Sequence, residues 1–381
     1  MEYKELGKTG KLLSVIGLGC EYLDGKPYKV VKETIDTALA GGVNVLEIFM
    51  PGREVRENIA KALGDRREEV MIHGHFGSTD INQQYDISRD MPKVKKYFEE
   101  LLEIFGYVDF GMLFYVDNEE DYKNIFETEF IEYVKEQKEK GNIKHIGFSS
   151  HNPEIAMKVI ETGLVEMMLF SINPAFDMLP SSEYIIDYSE KDMEIEIFRG
   201  LDPKRAKLYK LCTQKQIGIT VMKPFGGGKL ISKEHSPFKE PMTVAQCLHY
   251  CLTRPSVASV LPGCGSSEEM KEVLKYFELT DEDKDYSKVL SGVRNDFMGN
   301  CVYCSHCQPC EAMIDIVKVN KYLDIAKLDE TTIPPSIISH LKSLSPKPEE
   351  CTECGSCENR CPFGVKIINN MKEATRLIDN N

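Results

Sequence analysis

No stretch of this chain is apolar over the roughly 20 residues that a membrane-spanning helix needs, and the opening MEYKELGKTGKLLSVIGLG has no apolar core ending in a cleavage site. The expectation is a cytoplasmic protein with no membrane partner. Positive charge is also in short supply. Only 47 basic side chains stand against 61 acidic ones, a net charge of −14 over 381 residues, and such a surface repels phosphate backbones and anionic lipids alike. Nucleic acid is therefore not an expected partner. The length suits one large domain plus an appendix. Cysteine, by contrast, is plentiful. Thirteen of them in a reducing compartment point to metal or catalysis rather than to disulfides.

Eight of the thirteen fall in two short runs, CVYCSHCQPC at 301–310 and CTECGSCENRCP at 351–362. The second has the spacing C-x-x-C-x-x-C-x-x-x-C-P with which bacterial ferredoxins hold iron-sulfur clusters. Three thiolates two residues apart wrap one four-iron cluster, and in two-cluster proteins the fourth cysteine of each run reaches the other cluster. By that rule Cys301, Cys304, Cys307 and Cys361 hold one cluster, and Cys351, Cys354, Cys357 and Cys310 hold the other. The first run departs from the pattern, because Cys310 follows Cys307 after two residues and no proline comes next. Structural zinc is the competing reading, since four thiolates also suit a tetrahedral ion. Zinc knuckles, however, come as two C-x-x-C pairs a dozen or more residues apart. Between the runs lie the helical-looking EAMIDIVKVNKYLDIAKL and a proline-bearing link, so residues 281–381 read as a ferredoxin-like domain with an inserted helical arm.

Residues 1–280 alternate short apolar runs with longer amphipathic ones, the pattern of parallel strands joined by crossover helices. Strands are expected at 13–19, 43–49, 69–76, 108–116, 143–150, 166–172, 218–224 and 257–263. Helical spacing marks segments such as KVVKETIDTALAGG, MPKVKKYFEELLEIFG and SSEEMKEVLKYFE between them. Eight such units fit an α/β fold of the (β/α)8 TIM-barrel kind better than an open sheet, and chemistry in such barrels sits at the C-terminal ends of the strands.

The segments YKELGKTGKLLSVIGLG, GGVNV, GNIKHIGFSSH, VMKPFGGGKL and VLPGCGSSEEMKEVL resemble, in order over residues 3–278, the aldo-keto reductases, and the whole chain resembles a branch carrying a C-terminal ferredoxin-like segment. The resemblance implies a (β/α)8 barrel, a nicotinamide cofactor across the strand ends, and carbonyl reduction with a tyrosine as acid. The family's catalytic aspartate, tyrosine, lysine and histidine, however, fall on Glu47, Gly52, His75 and Phe114, the last counted from Asp109. Hydride delivery to a carbonyl needs a proton for the developing alkoxide, so the usual mechanism does not carry over. Ser149 matches the residue that holds the nicotinamide carboxamide, while Ser150 stands where an asparagine is usual. The turn of Gly226, Gly227 and Gly228, with Gly263, Gly265 and Ser266 ahead of a helix, offers amides to a phosphate, but Glu268 and Glu269 follow where the NADPH phosphate wants basic side chains.

If the tetrad is replaced, the new groups belong at the same strand ends. Glu47, His73 and His75 qualify, since two residues two apart on a strand share a face. They form either an acid-base set, a metal site joined by His151, or mere polar filling of the barrel rim. Tyr22, Tyr115, Asn173 and Lys223 are further candidates, Tyr115 for a phenolic proton and Lys223 for an anion contact. The acidic segment 174–203 reads as a lid over the mouth. Clusters pass single electrons whereas a nicotinamide passes a hydride, so either a flavin stands between them or a small-molecule substrate takes electrons directly. The favoured reading is an iron-sulfur oxidoreductase, served by a redox partner protein, with two four-iron clusters and a flavin or NAD(P) in the barrel. The alternatives are a non-catalytic electron-transfer or docking protein, and a barrel enzyme with structural clusters.

Overall fold

The computed structural model describes residues 1–81, 84–177, 202–236, 238, 240–286, 289, 299, 301, 307–328, 338, 341–361 and 364–380. The chain divides into two compact units, one of Met1–Phe225 with Met242–Ser291 and one of Gly226–Pro241 with Gly292–Asn381. The grouping of residues 226–241 with the C-terminal segment is invisible in a linear reading of the chain.

The first unit is a barrel. Its strands in chain order are β1 (Tyr3–Glu5), β2 (Leu12–Ser14), β3 (Leu18–Gly19), β4 (Val45–Ile48), β5 (Met71–Phe76), β6 (Ser78–Ile81), β7 (Gln84–Ile87), β8 (Val108–Leu113), β9 (Ile143–Ser150), β10 (Met167–Ser171), β11 (Gly218–Met222) and β12 (Val257–Val260). Eight of them form one sheet in the order β12-β11-β10-β9-β8-β5-β4-β3, with every pairing parallel. Parallel bridges from Ile16 to Val260 and from Gly19 to Gly263 close the ring. All eight expected strands are present, with one correction at the first. Of the expected 13–19 stretch Leu18–Gly19 forms the strand of the barrel sheet and Ile16 joins it by a single bridge to β12, while Leu13–Ser14 belongs to β2, which turns back antiparallel on Tyr3–Glu5. A second antiparallel hairpin, β6 with β7, is an addition that the sequence reading did not contain.

Helices follow from capping and spacing. They are α1 (Tyr28–Ala40), α2 (Arg53–Leu63), α3 (Met91–Phe105), α4 (Glu119–Phe126), α5 (Glu129–Glu139), α6 (Pro153–Glu161), α7 (Pro174–Asp177), α8 (Pro203–Lys215), α9 (Val244–Leu252), α10 (Ser267–Leu274) and α11 (Asp281–Lys284). In α3 the Asp90 side chain accepts from the Lys93 amide, Val94, Phe98, Leu101 and Phe105 share the buried face, and Gly106 at φ 79° ends the helix. Outward-facing strand residues such as Leu46, Ile72 and Phe148 pack on these helices. Inward-facing ones form a separate buried cluster of Val45, Phe110, Met112, Met167, Leu169, Ala258 and Leu261, to which the β1–β2 hairpin adds Leu6 and Leu13. Full burial of each such side chain stabilises the fold by about 1.5–3 kcal/mol. The alternation thus fills one end of the barrel with hydrocarbon and leaves the strand ends for polar groups.

The second unit contains α12 (Ile316–Leu328), α13 (Ser356–Arg360) and α14 (Ile367–Asp379), and no strand among the described residues. Asn370 Nδ2 donates to Asn320 Oδ1 at 2.7 Å between α14 and α12, and a 2.6 Å ion pair joins Lys327 to Glu373. Val319, Leu323 and Ala326 meet Ile367, Met371 and Ala374 as the buried apolar residues of the pair. No helix among the described residues is long and apolar enough to cross a membrane.

Candidate functional site

Alternation along β4 and β5 sends Glu47, His73 and His75 inward with Val45, and the parallel register sets Glu47 beside His73. His75 Nε2 stands 2.8 Å from Glu47 Oε1, with the two side chains 1% and 9% exposed. The two atoms lie close but without hydrogen-bond alignment. By hydrogen-bond geometry Glu47 Oε1 and both ring nitrogens of His75 and of His73 have no partner. Buried polar atoms left in this way are costly, and in native proteins each marks a place where something else completes the set. His73 lies deeper, edge-on to Phe110 at 5.0 Å. Burial, with His75 adding to it, lowers its pKa to about 3, so it is a neutral ring at any working pH.

An aromatic wall surrounds the pair. Phe49 and Phe114 stack at 5.7 Å, Tyr85 meets Phe49 edge-on at 5.3 Å, and His75 meets Phe114 edge-on at 5.2 Å. Phe114 continues to Tyr115 at 6.0 Å, and Tyr115 to His151 at 4.9 Å. Glu47, His73, His75, Tyr115 and His151 therefore share one end of the barrel. Gly52 is the N-cap of α2. Among the described residues no three His, Cys, Asp or Glu side chains gather closely enough to hold a single metal ion. The expected lid lies outside the described residues except for its ends, Pro174–Asp177 and Asp202–Pro203.

The remaining barrel candidates are tied to the backbone. Ser149 Oγ accepts from the Tyr115 amide at 2.8 Å, which fixes Tyr115 at φ 57°, left-handed for a residue with a side chain. Asn173 Nδ2 donates to the Lys223 carbonyl at 2.9 Å and its Oδ1 accepts from the Phe176 amide at 3.0 Å. Lys223 also sits at positive φ, 59°. Gly226 and Gly227 belong to the second unit, while Gly263, Gly265 and Ser266 belong to the barrel. The Gly265 amide donates to Glu269 Oε2 at 2.7 Å, and Ser266 Oγ accepts from the Glu269 amide at 3.2 Å.

One functional-looking group escaped the sequence reading. Asp117 Oδ1 accepts from Ser150 Oγ at 3.0 Å and from the His151 amide at 2.6 Å, and its Oδ2 faces His151 Nδ1 at 2.8 Å. A carboxylate can only accept, so the pairing puts the ring proton on Nδ1. Burial, with Lys223 and Arg205 adding to it, keeps the His151 imidazole well below its usual range and hence neutral. The only signal in the sequence was an aspartate just past a strand end, and Asp-Asn there reads as an ordinary turn.

In the second unit the two cysteine runs approach one another. Cys310 of the first run and Cys351, Cys354 and Cys357 of the second line one small cavity, with Ile314, Ile316, Ile367 and Met371 on its apolar side and Glu311, Ser356 and Arg360 on its polar side, and Cys354 is exposed. Gly355, left-handed at φ 78°, gives the second run its turn into α13. Burial pushes the Cys357 thiol up to about 11, the Glu358 amide opposes this, and Cys310, Cys351 and Cys354 add to the rise. Arg360 Nη2 donates to the carbonyls of Cys307 and Pro309, which ties the first run to α13. Lys229 Nζ donates to the Cys301 carbonyl. Cys307 is buried, Cys301 and Cys361 are half-buried, and Cys304 lies outside the described residues.

Comparison with known proteins accords with this barrel. The model of the aldo/keto reductase family matches residues 15–246, ending before the cysteine runs. The Bacillus subtilis protein YqkF, described as an uncharacterized oxidoreductase, is 26% identical over 296 residues, covering 71% of this chain and 90% of its own. Among solved structures, the aldo-keto reductase AKR11C1 from Bacillus halodurans superposes with a TM-score of 0.58 in its holo form, at 18% identity over 77% of this chain and 97% of that one. Its apo form gives 0.52 at 19% identity over the same shares. At such identity the likeness is one of fold, while the family match spans more than half of the sequence. The chain thus belongs to the aldo/keto reductase family and is an oxidoreductase of that type.

Proposed function

We propose that the chain is an iron-sulfur oxidoreductase in which single electrons, exchanged with a redox partner protein, serve a small-molecule reaction at the barrel mouth. The convergence of Cys310 with Cys351, Cys354 and Cys357 around one cavity carries this reading. Four cysteines, with Cys357 buried, Cys310 and Cys351 half-buried and Cys354 exposed, are the donor set that a four-iron cluster uses, and the cysteine from the first run is the one that crossed ligation requires. Cys301, Cys304, Cys307 and Cys361 would hold a second. Iron-sulfur clusters supply one-electron transfer when bound.

Everything else falls to the chain. Glu47 and His75, 2.8 Å apart and buried, are the acid-base groups at the strand ends where the family keeps its acid. The replacement of the aspartate, tyrosine, lysine and histidine by Glu47, Gly52, His75 and Phe114 removes the phenol. The carboxylate-imidazole pair takes over its duty. Phe49 and Phe114, stacked, with Tyr85 edge-on to Phe49, offer an aromatic wall that favours a neutral substrate and shields the pair from water. Tyr115 beside His151 supports a second proton position on the far side of Phe114.

The test is purification without oxygen, followed by iron, sulfide and zinc assays and electron-spin spectra of the dithionite-reduced protein. About eight irons and eight sulfides per chain are expected. Zinc without sulfide would overturn the reading.

A further inference from the structure

The loop of Gly263, Gly265 and Ser266 occupies the position where the family resemblance places a cofactor phosphate, and this chain fills it with its own groups. The Gly265 amide donates to Glu269 Oε2 at 2.7 Å. Ser266 Oγ accepts from the Glu269 amide at 3.2 Å, and Ser267 Oγ donates to Glu268 Oε1 at 3.1 Å. Glu269 therefore does what a bound phosphate does. It sets negative charge against an amide donor at the N-terminus of α10.

Tyr22, itself half-exposed, packs on the loop from the other side. A methyl on Gly263 would stand 2.5 Å from Tyr22 Cδ2, and one on Gly265 would stand 3.3 Å from Tyr22 Cβ and from its carbonyl oxygen. The two glycines are thus accounted for by the close packing of an aromatic side chain, without any pyrophosphate. Burial, with Glu21 and Glu269 adding to it, pushes the Tyr22 phenol up to about 12, so Tyr22 is neutral as well. A nucleotide phosphate entering here would have to break the Gly265–Glu269 hydrogen bond, move Tyr22, and lie against Glu268 and Glu269. Like charges at such range repel.

We infer that this loop is a self-liganded anion site, in which the Glu269 carboxylate stands in for phosphate and Tyr22 packs against the two glycines, so that the barrel does not take the phosphate of a nicotinamide dinucleotide through it. The observations lie wholly within the barrel unit and are independent of what the cysteines bind.

The test titrates NADPH and NADH into the full-length, anaerobically purified protein by calorimetry and by the fluorescence of the reduced nicotinamide. The wild type is expected to show no saturation up to about 1 mM with either nucleotide. Glu269→Ala combined with Tyr22→Ala, which opens the loop and removes one charge, is expected to tighten NADPH binding at least about tenfold. Micromolar NADPH binding by the wild type would overturn the inference. So would a folded double variant that gains nothing, because the plug would then not be what excludes the nucleotide. Glu269→Gln keeps a hydrogen-bond acceptor while removing the charge, so it is expected to fall between the wild type and the double variant.

Discussion

His73 and His75 share a strand and a face, yet their neighbours give them different work. His75 faces the Glu47 carboxylate at 2.8 Å, whereas His73 faces Phe110. Replacing His75 by Gln, or Glu47 by Gln, nearly keeps the volume and removes one titratable group of the proposed acid-base pair. Turnover of whichever substrate is found is expected to fall by about 10²–10⁴-fold in each, with the double variant no worse than the worse single one. Single-turnover rates check this, and additive losses would show that the two do not act together. His73 makes a prediction about acid stability. Its folded pKa of about 3 lies below the ordinary 6.5, so between those values the unfolded chain binds a proton that the folded chain refuses. Stability is therefore complete above pH 6.5 and falls as pH drops toward 3, by up to about 1.4 kcal/mol per unit. His73→Phe should flatten that slope by one proton, as read from denaturant melts at pH 7, 5.5 and 4.5. Equal slopes in variant and wild type would contradict it.

At the scale of elements, buried ionic groups hold the strand ends that carry the site. Asp177 at the end of α7 is fully buried and takes Arg205 Nη1 at 2.9 Å, Tyr209 at 2.9 Å and Tyr250 at 3.2 Å. Arg205 also donates to the Ser171 carbonyl at the end of β10. Removing one partner leaves the other charge buried, so Arg205→Met should cost about 3–5 kcal/mol, visible as a lowered unfolding midpoint. Recovery of that stability in the Asp177→Asn Arg205→Met double variant would identify the stranded carboxylate as the cause. Arg56 does similar work for the loop after β4. Its Nε donates to the Met50 carbonyl at 2.8 Å and its Nη1 to the Tyr97 carbonyl at 2.9 Å, which pins α2 and α3 beside Glu47.

For the whole molecule, the cysteine arrangement separates two groups of variants. Cys310→Ser and Cys354→Ser touch the same cavity, so each should remove the same component of the electron-spin spectrum and lower iron from about eight to about four per chain. Cys247→Ser, a fully buried helix position with no cysteine run near it in sequence, should leave iron unchanged. Different spectral losses in Cys310→Ser and Cys354→Ser would break the crossed assignment.

Much of this protein is written locally. Lengths of apolar runs set eight strands, because a strand buried on both faces needs only four to eight such residues. Side-chain alternation alone put His73 and His75 on one face, and the spacing of the second cysteine run set its turn. Cys310 was harder to place, since its spacing in the first run breaks the pattern. Folding brings it to the cavity of the second run, 41 residues or more away in sequence. The hairpins β1–β2 and β6–β7 were missed because a three- or four-residue strand leaves too short a pattern to distinguish from a loop. Asp117 reads in sequence as a turn residue, and Glu269 as an acidic group set against a cofactor phosphate. What each contacts, His151 in one case and the Gly265 amide in the other, depends on where distant strand ends and helix starts meet. Periodicity decides which face a residue occupies, but only the closed barrel decides what stands opposite it.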